Sequence, residues 1–492
     1  MEQSTTTPPS PAMVGFDDFV TTIQPQLLAL FAVVQAFRQQ PPTPELTHAF
    51  EHSLKDILQN IGRVLVEKTY NQIEPPQLTD CPLRLRLAGQ DYRRRPKSRN
   101  TIGTLFGKIS LWRYLYEATE VGEPALFPLE LQLGIEAGLA SPALAERVGW
   151  WAAEHEQAVV LALLKQEHQV TWSVTSLRKV TGSLRDGLAS FRAQVQTARL
   201  LELLTKAFAS RGRHRPVLAV GRDGVQVPLR LDGYHEGATA TLSVLDRRGR
   251  RLGTVYLGRM PEPGQGTLSE QLSALVTNVL TAWHAGGGTA PRLAYVTDAG
   301  HHPKEYYKEV LQRLADPWRA GQQLVWVWVV DFWHACGYVN DLAVGLFGDG
   351  PKAWQWFGKW RRWLRDRNQG VAQVLRSAMW HVNHKGRWSA AKQEKFAKAY
   401  RYLRRHSKWM KYAGYRRQGL PIGSGVTEAA CKTVFAERLK RSGMTWGREG
   451  GQVIVDLRVL KLSQAWGTAF QNYLRSRPQP SVSKPASYQV AG

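Results

Sequence analysis

The chain has 492 residues, with 65 Lys or Arg against 40 Asp or Glu and a net charge of +25. That length allows several domains with at least one sizeable core, and a charge excess this large points to a polyanionic partner, for which phosphate backbone is the usual chemistry. Three scattered cysteines, Cys81, Cys336 and Cys431, exclude a disulfide scaffold and match no metal-ligand spacing, which suits a reducing compartment.

Residues 1–12 and 476–492, rich in Pro, Ser and Thr, read as disordered tails. The start "MEQSTTTPPSPAM" lacks the pattern of a signal peptide, and the apolar run "LLALFAVVQAF" at 27–37 is too short to span a bilayer. A cytoplasmic, nucleoid-associated protein with no membrane partner is expected. Residues 13–80 predict two amphipathic helices punctuated by the Pro-Pro pairs at 41–42 and 75–76. Residues 81–130 form a small β-containing segment, in which "TIGTLFGKISLWRYLYEA" turns at Gly107. From 131 to 212 the pattern is helical. Its last part, "HQVT" followed by "WSVTSLRKVTGSLRDGL", is compatible with a helix-turn-helix or with a plain helical bundle.

The segment 213–334 reads most directly. "RPVLAVGRDGVQVPLRL" is a strand carrying Asp223, and "ATLSVLDRRGRRLGTVYLGRM" is a hairpin. "TLSEQLSALVTNVLTAWHA" is an amphipathic helix with Thr267 as its expected cap. "RLAYVTDAG" is a short buried strand ending at Asp298, and "HPKEYYKEVLQRLA" is a helix. "QLVWVWVVDFWHA" is an apolar strand ending at Asp331 and His334. The order β-β-β-α-β-α-β predicts an α/β fold with a mixed sheet and helices on its faces. Residues 335–422 predict an all-helical, Trp-rich insertion. Between 351 and 417 it holds 19 Lys or Arg against two acids, most of the chain's charge excess. Residues 423–475 return to the core through a Gly-rich loop, a helix with Glu428 in its first turn, and closing helices.

Three acids therefore stand at strand ends, where a charge is costly unless solvated, paired or bound to metal. Strand ends of such sheets are also where sites are built. Converging carboxylates suit Mg²⁺, a hard cation that takes oxygen ligands, and two such ions can drive phosphodiester displacement. On a strongly basic chain that chemistry reads as nucleic-acid phosphoryl transfer. Strand-end Asp residues are also common turn formers.

The strand order with Asp on the first and fourth strands resembles the RNase H-like core of DDE transposases. "IGSGVTEAACKTVFAERLKRSGMTW" is similar to the third-acid segment of one group of bacterial insertion-sequence transposases. "DFWHA" resembles the Asp/Cys-x-x-His motif of the Mutator-like and hAT-like branches, and the helical insertion before the Glu fits them too. The resemblance covers about 215–465; the N-terminal half lacks the zinc-ribbon cysteines that comparable proteins often carry.

The resemblance implies an RNase H-like mixed sheet interrupted by the helical insertion, with a mainly helical N-terminal region. It makes Asp223, Asp298 and Glu428 the metal-binding catalytic triad for Mg²⁺, with Mn²⁺ as a substitute, and leaves Asp331 as the alternative second acid. It places Asp331 and His334 beside them, with His334 contacting the scissile phosphate or orienting a ligand; the bland reading is a structural histidine.

Lys432, four residues after Glu428, would pair with that carboxylate, reach a phosphate or only support its helix. Arg438, Lys440 and Arg441 would make an outer basic face, and Trp446 would pack in the core or stack on an unpaired base. Arg404, Arg405, Lys408, Lys411, Arg416 and Arg417 lead to the Glu428 loop and are expected DNA contacts. The implied function is an insertion-sequence transposase that binds terminal inverted repeats and target DNA and assembles as a homodimer or larger synaptic complex. The alternatives are a catalytically silent, transposase-derived DNA-binding protein and an RNase H-like nuclease.

Overall fold

The computed structural model describes residues 15–75, 81–87, 90–120, 122–384 and 388–477. The expected tail at 1–12 lies outside them, as does all but the start of the tail at 476–492. The expectation for that start is corrected: Ser476 closes the helix Trp466–Ser476. The chain divides into two compact units, one of residues 1–188 with 470–492, the other of residues 189–469. The division falls inside the helix Val174–Ala209, so the expected boundary at 212 is not where the chain divides.

The first unit opens with the helices Phe16–Arg38 and Pro44–Ile73. Thr43 caps the second by accepting from the Leu46 N–H at 3.1 Å. Phe37 stacks on Phe50 with ring centroids 4.3 Å apart, and Lys68 pairs with Asp18 at 2.9 Å. The helix Phe16–Arg38 is long and apolar enough to cross a membrane by length and composition. The apolar run read at 27–37 continues N-terminally through Ile23 in the same helix, which the shorter reading missed.

Three antiparallel strands come next: β1 (Arg84–Leu87), β2 (Gln90–Thr104) and β3 (Gly107–Ala118). Gly107 takes φ 119°, a region closed to most residues, and makes the tight β2–β3 turn. The helices Pro142–Ala152 and Gln157–His168 precede the long helix Val174–Ala209. The chain returns to this unit at its end, where Tyr473 and Arg477 bond the buried Glu136 carboxylate at 2.8 and 2.6 Å.

The second unit is a mixed α/β layer structure. Its strands are β4 (Val217–Leu229), β5 (Gly233–Leu245), β6 (Arg251–Arg259), β7 (Arg292–Thr297) and β8 (Trp326–Val330), side by side in the order β6-β5-β4-β7-β8. β4 pairs antiparallel with β5 and parallel with β7; β7 pairs parallel with β8. Strand alternation sends Leu218, Val220, Tyr295 and Trp328 to one face, against the helix Gly266–Ala285. It sends Val217, Ala219, Ala294 and Val296 to the other, against the helical insertion. Each fully buried large side chain stabilises by roughly 1.5–3 kcal/mol, so both faces are needed to hold these short parallel strands.

Thr267 does not cap the helix Gly266–Ala285. The helix starts at Gly266 with Gln265 in the N-cap position, two residues before Thr267, and the Glu262 carboxylate accepts the Leu268 N–H at 3.0 Å. Between β8 and the Glu428 loop the regular structure of the described residues is all helical, with helices Phe332–Phe347, Pro351–Asp366, Gly370–Asn383, Ala390–His406 and Tyr412–Arg417. Of its tryptophans, Trp356 and Trp360 are buried, while Trp354 and Trp380 are exposed.

Candidate active site

Register places the acids. Gly221 pairs with Val296 on the parallel neighbour, and Asp223 and Asp298 each lie two residues further on. Thr297 pairs with Val330, and Asp331 continues that row, its N–H donating to the Thr297 carbonyl at 2.8 Å. The three aspartates thus stand in one row across the sheet: Asp298 and Asp331 directly follow β7 and β8, whereas Asp223, expected near a strand end, lies in the middle of β4, paired with Thr239 of β5. With about 4.8 Å between strands, Asp298 is one strand from Asp223 and Asp331 is two.

The fourth acid arrives on a helix. Gly425–Ala430 carries Glu428 and runs on through a π-helical turn, Cys431–Ala436, to Leu439. Thr427 on this helix meets Thr241 of β5 through their hydroxyls at 2.8 Å. A Cβ at Gly221 would come within 2.0 Å of the Thr427 hydroxyl, so glycine is what lets the helix lie this close to the sheet. Asp223 shares that face, and Glu428 is brought over it.

Asp223 accepts the Gly224 N–H at 2.8 Å. Burial pushes its carboxyl up to about 6, the nearby Asp298 and Glu428 add to that rise, and the Gly224 and Cys431 hydrogen bonds oppose it. Burial and the Asp223 charge likewise push the Cys431 thiol up to about 12, keeping it a neutral donor. Asp298 accepts the Gly300 N–H at 2.8 Å, closing a turn in which Ala299 is held at φ 63°. A non-glycine residue in this left-handed region carries backbone strain. The Tyr402 hydroxyl donates to the Asp298 carbonyl at 2.7 Å, and its ring stacks on Tyr338 at 3.8 Å.

Asp331 is different in kind. It is 0% exposed and caps the helix Phe332–Phe347 by accepting the His334 N–H. Its other oxygen accepts the Ser424 N–H and, at 3.0 Å, the Ser424 hydroxyl. His334 is exposed, with its ring edge-on to Tyr338 and Tyr402 at 5.3 and 5.6 Å.

The donor set Asp223, Asp298 and Glu428 is all oxygen and short of positive charge, which fits a hard divalent cation. To share one ion their carboxylates would have to turn toward each other. Among the described residues, the group of three whose ligand atoms all lie within 4.8 Å is His301, His302 and Glu305, on the helix after Asp298. The spacing His-His-x-x-Glu is the signal that reading for carboxylates alone passed over.

Arg404, Arg405, Lys408 and Lys411 are exposed. Desolvation and the neighbouring Arg405, Lys308 and Lys408 charges hold the Lys304 amine below the usual lysine range, which draws Lys304 and Lys308 into the same cationic cluster. Arg416 pairs with Asp366, and Arg417 bonds Asn368 at 2.7 Å. Lys432, Lys440 and Arg441 are exposed, but Glu428 is bonded by Ser424 at 2.8 Å rather than by Lys432. A π turn, Cys431–Ala436, begins just before Lys432.

Arg438 requires a correction: it is 1% exposed, with its guanidinium 5.2 Å from the Trp446 ring, so it belongs to the interior and not to an outer basic face. Trp446 is pinned by packing, its indole N–H donating to the Leu439 carbonyl at 2.9 Å. Trp360, Trp363 and Trp380 line an open groove with Gln373, Arg376 and Ser377. The chain matches no protein-family model, and no curated protein matches it.

Proposed function

We propose that the chain is a DDE-type DNA transposase of an insertion sequence, built on an RNase H-like core and acting as a homodimer or larger synaptic assembly. The observation that carries the reading is the register of Asp223 and Asp298 on adjacent parallel strands, with Glu428 brought over the same sheet face by its own helix. The sheet order β6-β5-β4-β7-β8, with only the first three strands antiparallel, is the arrangement the RNase H-like reading requires.

Asp223, Asp298 and Glu428 would hold Mg²⁺ or Mn²⁺, which when bound activates a water or 3′-hydroxyl and stabilises the leaving oxygen in phosphodiester displacement. The chain's own residues do the rest. Arg405, Lys408, Lys304 and Lys308 bind the phosphate backbone beside the acids, giving salt-dependent affinity without sequence choice. His334, exposed next to Tyr402, would touch the scissile phosphate. The Trp-lined groove of the insertion offers stacking faces to unpaired bases. The N-terminal helices read the terminal inverted repeats.

The test supplies purified full-length protein with the DNA flanking its gene, a target plasmid and Mg²⁺. Nicked ends whose 3′-hydroxyls join the target support a transposase. Cleavage of RNA–DNA hybrids without joining supports a nuclease instead, and binding without nicking supports a silent DNA-binding protein.

A further inference from the structure

Asp331 is fully buried, stands two strands from Asp223, and has both oxygens engaged. A buried carboxylate so fully answered by donors is poorly placed to bind an ion, yet it lies in the row of acids. Its bonds show what it does instead. Oδ1 takes the His334 N–H, Oδ2 takes the Ser424 N–H, and the Ser424 hydroxyl oxygen lies 3.0 Å from Oδ2. The same loop is fastened a second time by the Phe332 N–H, which donates to the Ile422 carbonyl at 2.9 Å. A Cβ at Gly423 would sit 3.3 Å from Trp333 and 3.5 Å from Asp331 Oδ2, so the loop passes tightly over this corner.

Ser424 is the link onward. Its hydroxyl lies 3.0 Å from Asp331 Oδ2 and 2.8 Å from Glu428 Oε1, and its carbonyl accepts the Glu428 N–H at 3.0 Å. A hydroxyl has one proton and here faces two carboxylates. Asp331 already holds two backbone N–H groups, so the hydroxyl can turn its proton to Glu428. We propose that Ser424 is a positioning residue for Glu428, anchored by Asp331, which sets the carboxylate's rotamer and leaves Oε2 as the oxygen offered to metal. This rests on the reading of Glu428 as a metal ligand.

The test measures Mn²⁺ binding to the full-length protein by electron paramagnetic resonance, without DNA, together with the metal dependence of end cleavage. Wild type is compared with Asp223→Asn, Ser424→Ala and Ser424→Thr. Ser424→Ala is expected to raise the half-saturating Mn²⁺ concentration about tenfold, the scale of one lost hydrogen bond to a charged group. Its Tm should stay near that of wild type, and Ser424→Thr, which keeps the hydroxyl, should restore binding.

Mn²⁺ binding that Asp223→Asn abolishes but Ser424→Ala leaves unchanged would overturn the positioning role alone. Binding that is indifferent to Asp223→Asn would overturn the acid site and the positioning role with it. A matching loss in Ser424→Ala and Ser424→Thr would assign the effect to the loop's shape and also count against the hydroxyl.

Discussion

At the residue scale the four acids look alike in sequence and separate by environment. Asp223 carries a carboxyl pushed up to about 6, so below that pH a proton competes with metal for it. Mn²⁺ affinity is therefore expected to fall by up to about tenfold per pH unit below pH 6 and to level off above it. Titration calorimetry across pH 5–8 checks this, and an affinity flat through that range would contradict it.

For the stability of the metal-free fold the sign is opposite. A raised carboxyl favours the fold most below the unfolded value, and that contribution fades as pH rises through about 6. Asp331 has a structural phenotype instead. Asp331→Ala leaves the N–H groups of His334 and Ser424 unanswered inside the fold and is expected to cost on the order of 3 kcal/mol in urea unfolding. Asp298→Asn should leave stability near wild type, because its half-buried carboxyl closes one local turn that the Asn side-chain carbonyl can also close. Equal stabilities for the two variants would undo the distinction drawn between them.

At the element scale, the strands were legible because short parallel strands buried on both faces must be continuous apolar runs, as "RLAYVT" and "WVWVV" are. Their terminal acids stood out against those runs. What could not be read was anything set by long-range approach. The bonds of Tyr402 to Asp298 and of Ser424 to Asp331 join segments about a hundred residues apart, and no periodicity reports them.

The π turn at Cys431–Ala436 is equally silent in sequence. By adding a residue to one turn it shifts the register of the residues that follow, among which Arg438 is buried. Gly221 makes the closeness of this helix testable. Gly221→Ala should destabilise the protein by about 1–3 kcal/mol through overpacking against Thr427, and Thr427→Ala in the same chain should recover most of the loss. Additive losses measured by denaturant unfolding would show that the two side chains do not crowd each other.

At the scale of the whole molecule, the sequence placed the excess charge correctly in the insertion, but not its division of labour. Arg416 is paired with Asp366, while Arg404, Arg405 and Lys408 are exposed and the last two crowd Lys304. Replacing Arg405 and Lys408 by Ala is expected to flatten the slope of log affinity against log salt by about 0.9 for each phosphate no longer neutralised. An unchanged slope in a filter-binding titration would move the DNA path elsewhere.

The transposase reading depends on Asp223, Asp298 and Glu428 acting as one metal-dependent site on DNA. The direct measurement is end cleavage by the full-length protein in Mg²⁺, comparing wild type with Asp223→Asn, Asp298→Asn and Glu428→Gln. The prediction is a cut leaving a 3′-hydroxyl in wild type, reduced by at least about a hundredfold in each variant while DNA binding persists. Cleavage surviving in any of the three, or absent from wild type in both Mg²⁺ and Mn²⁺, would contradict it.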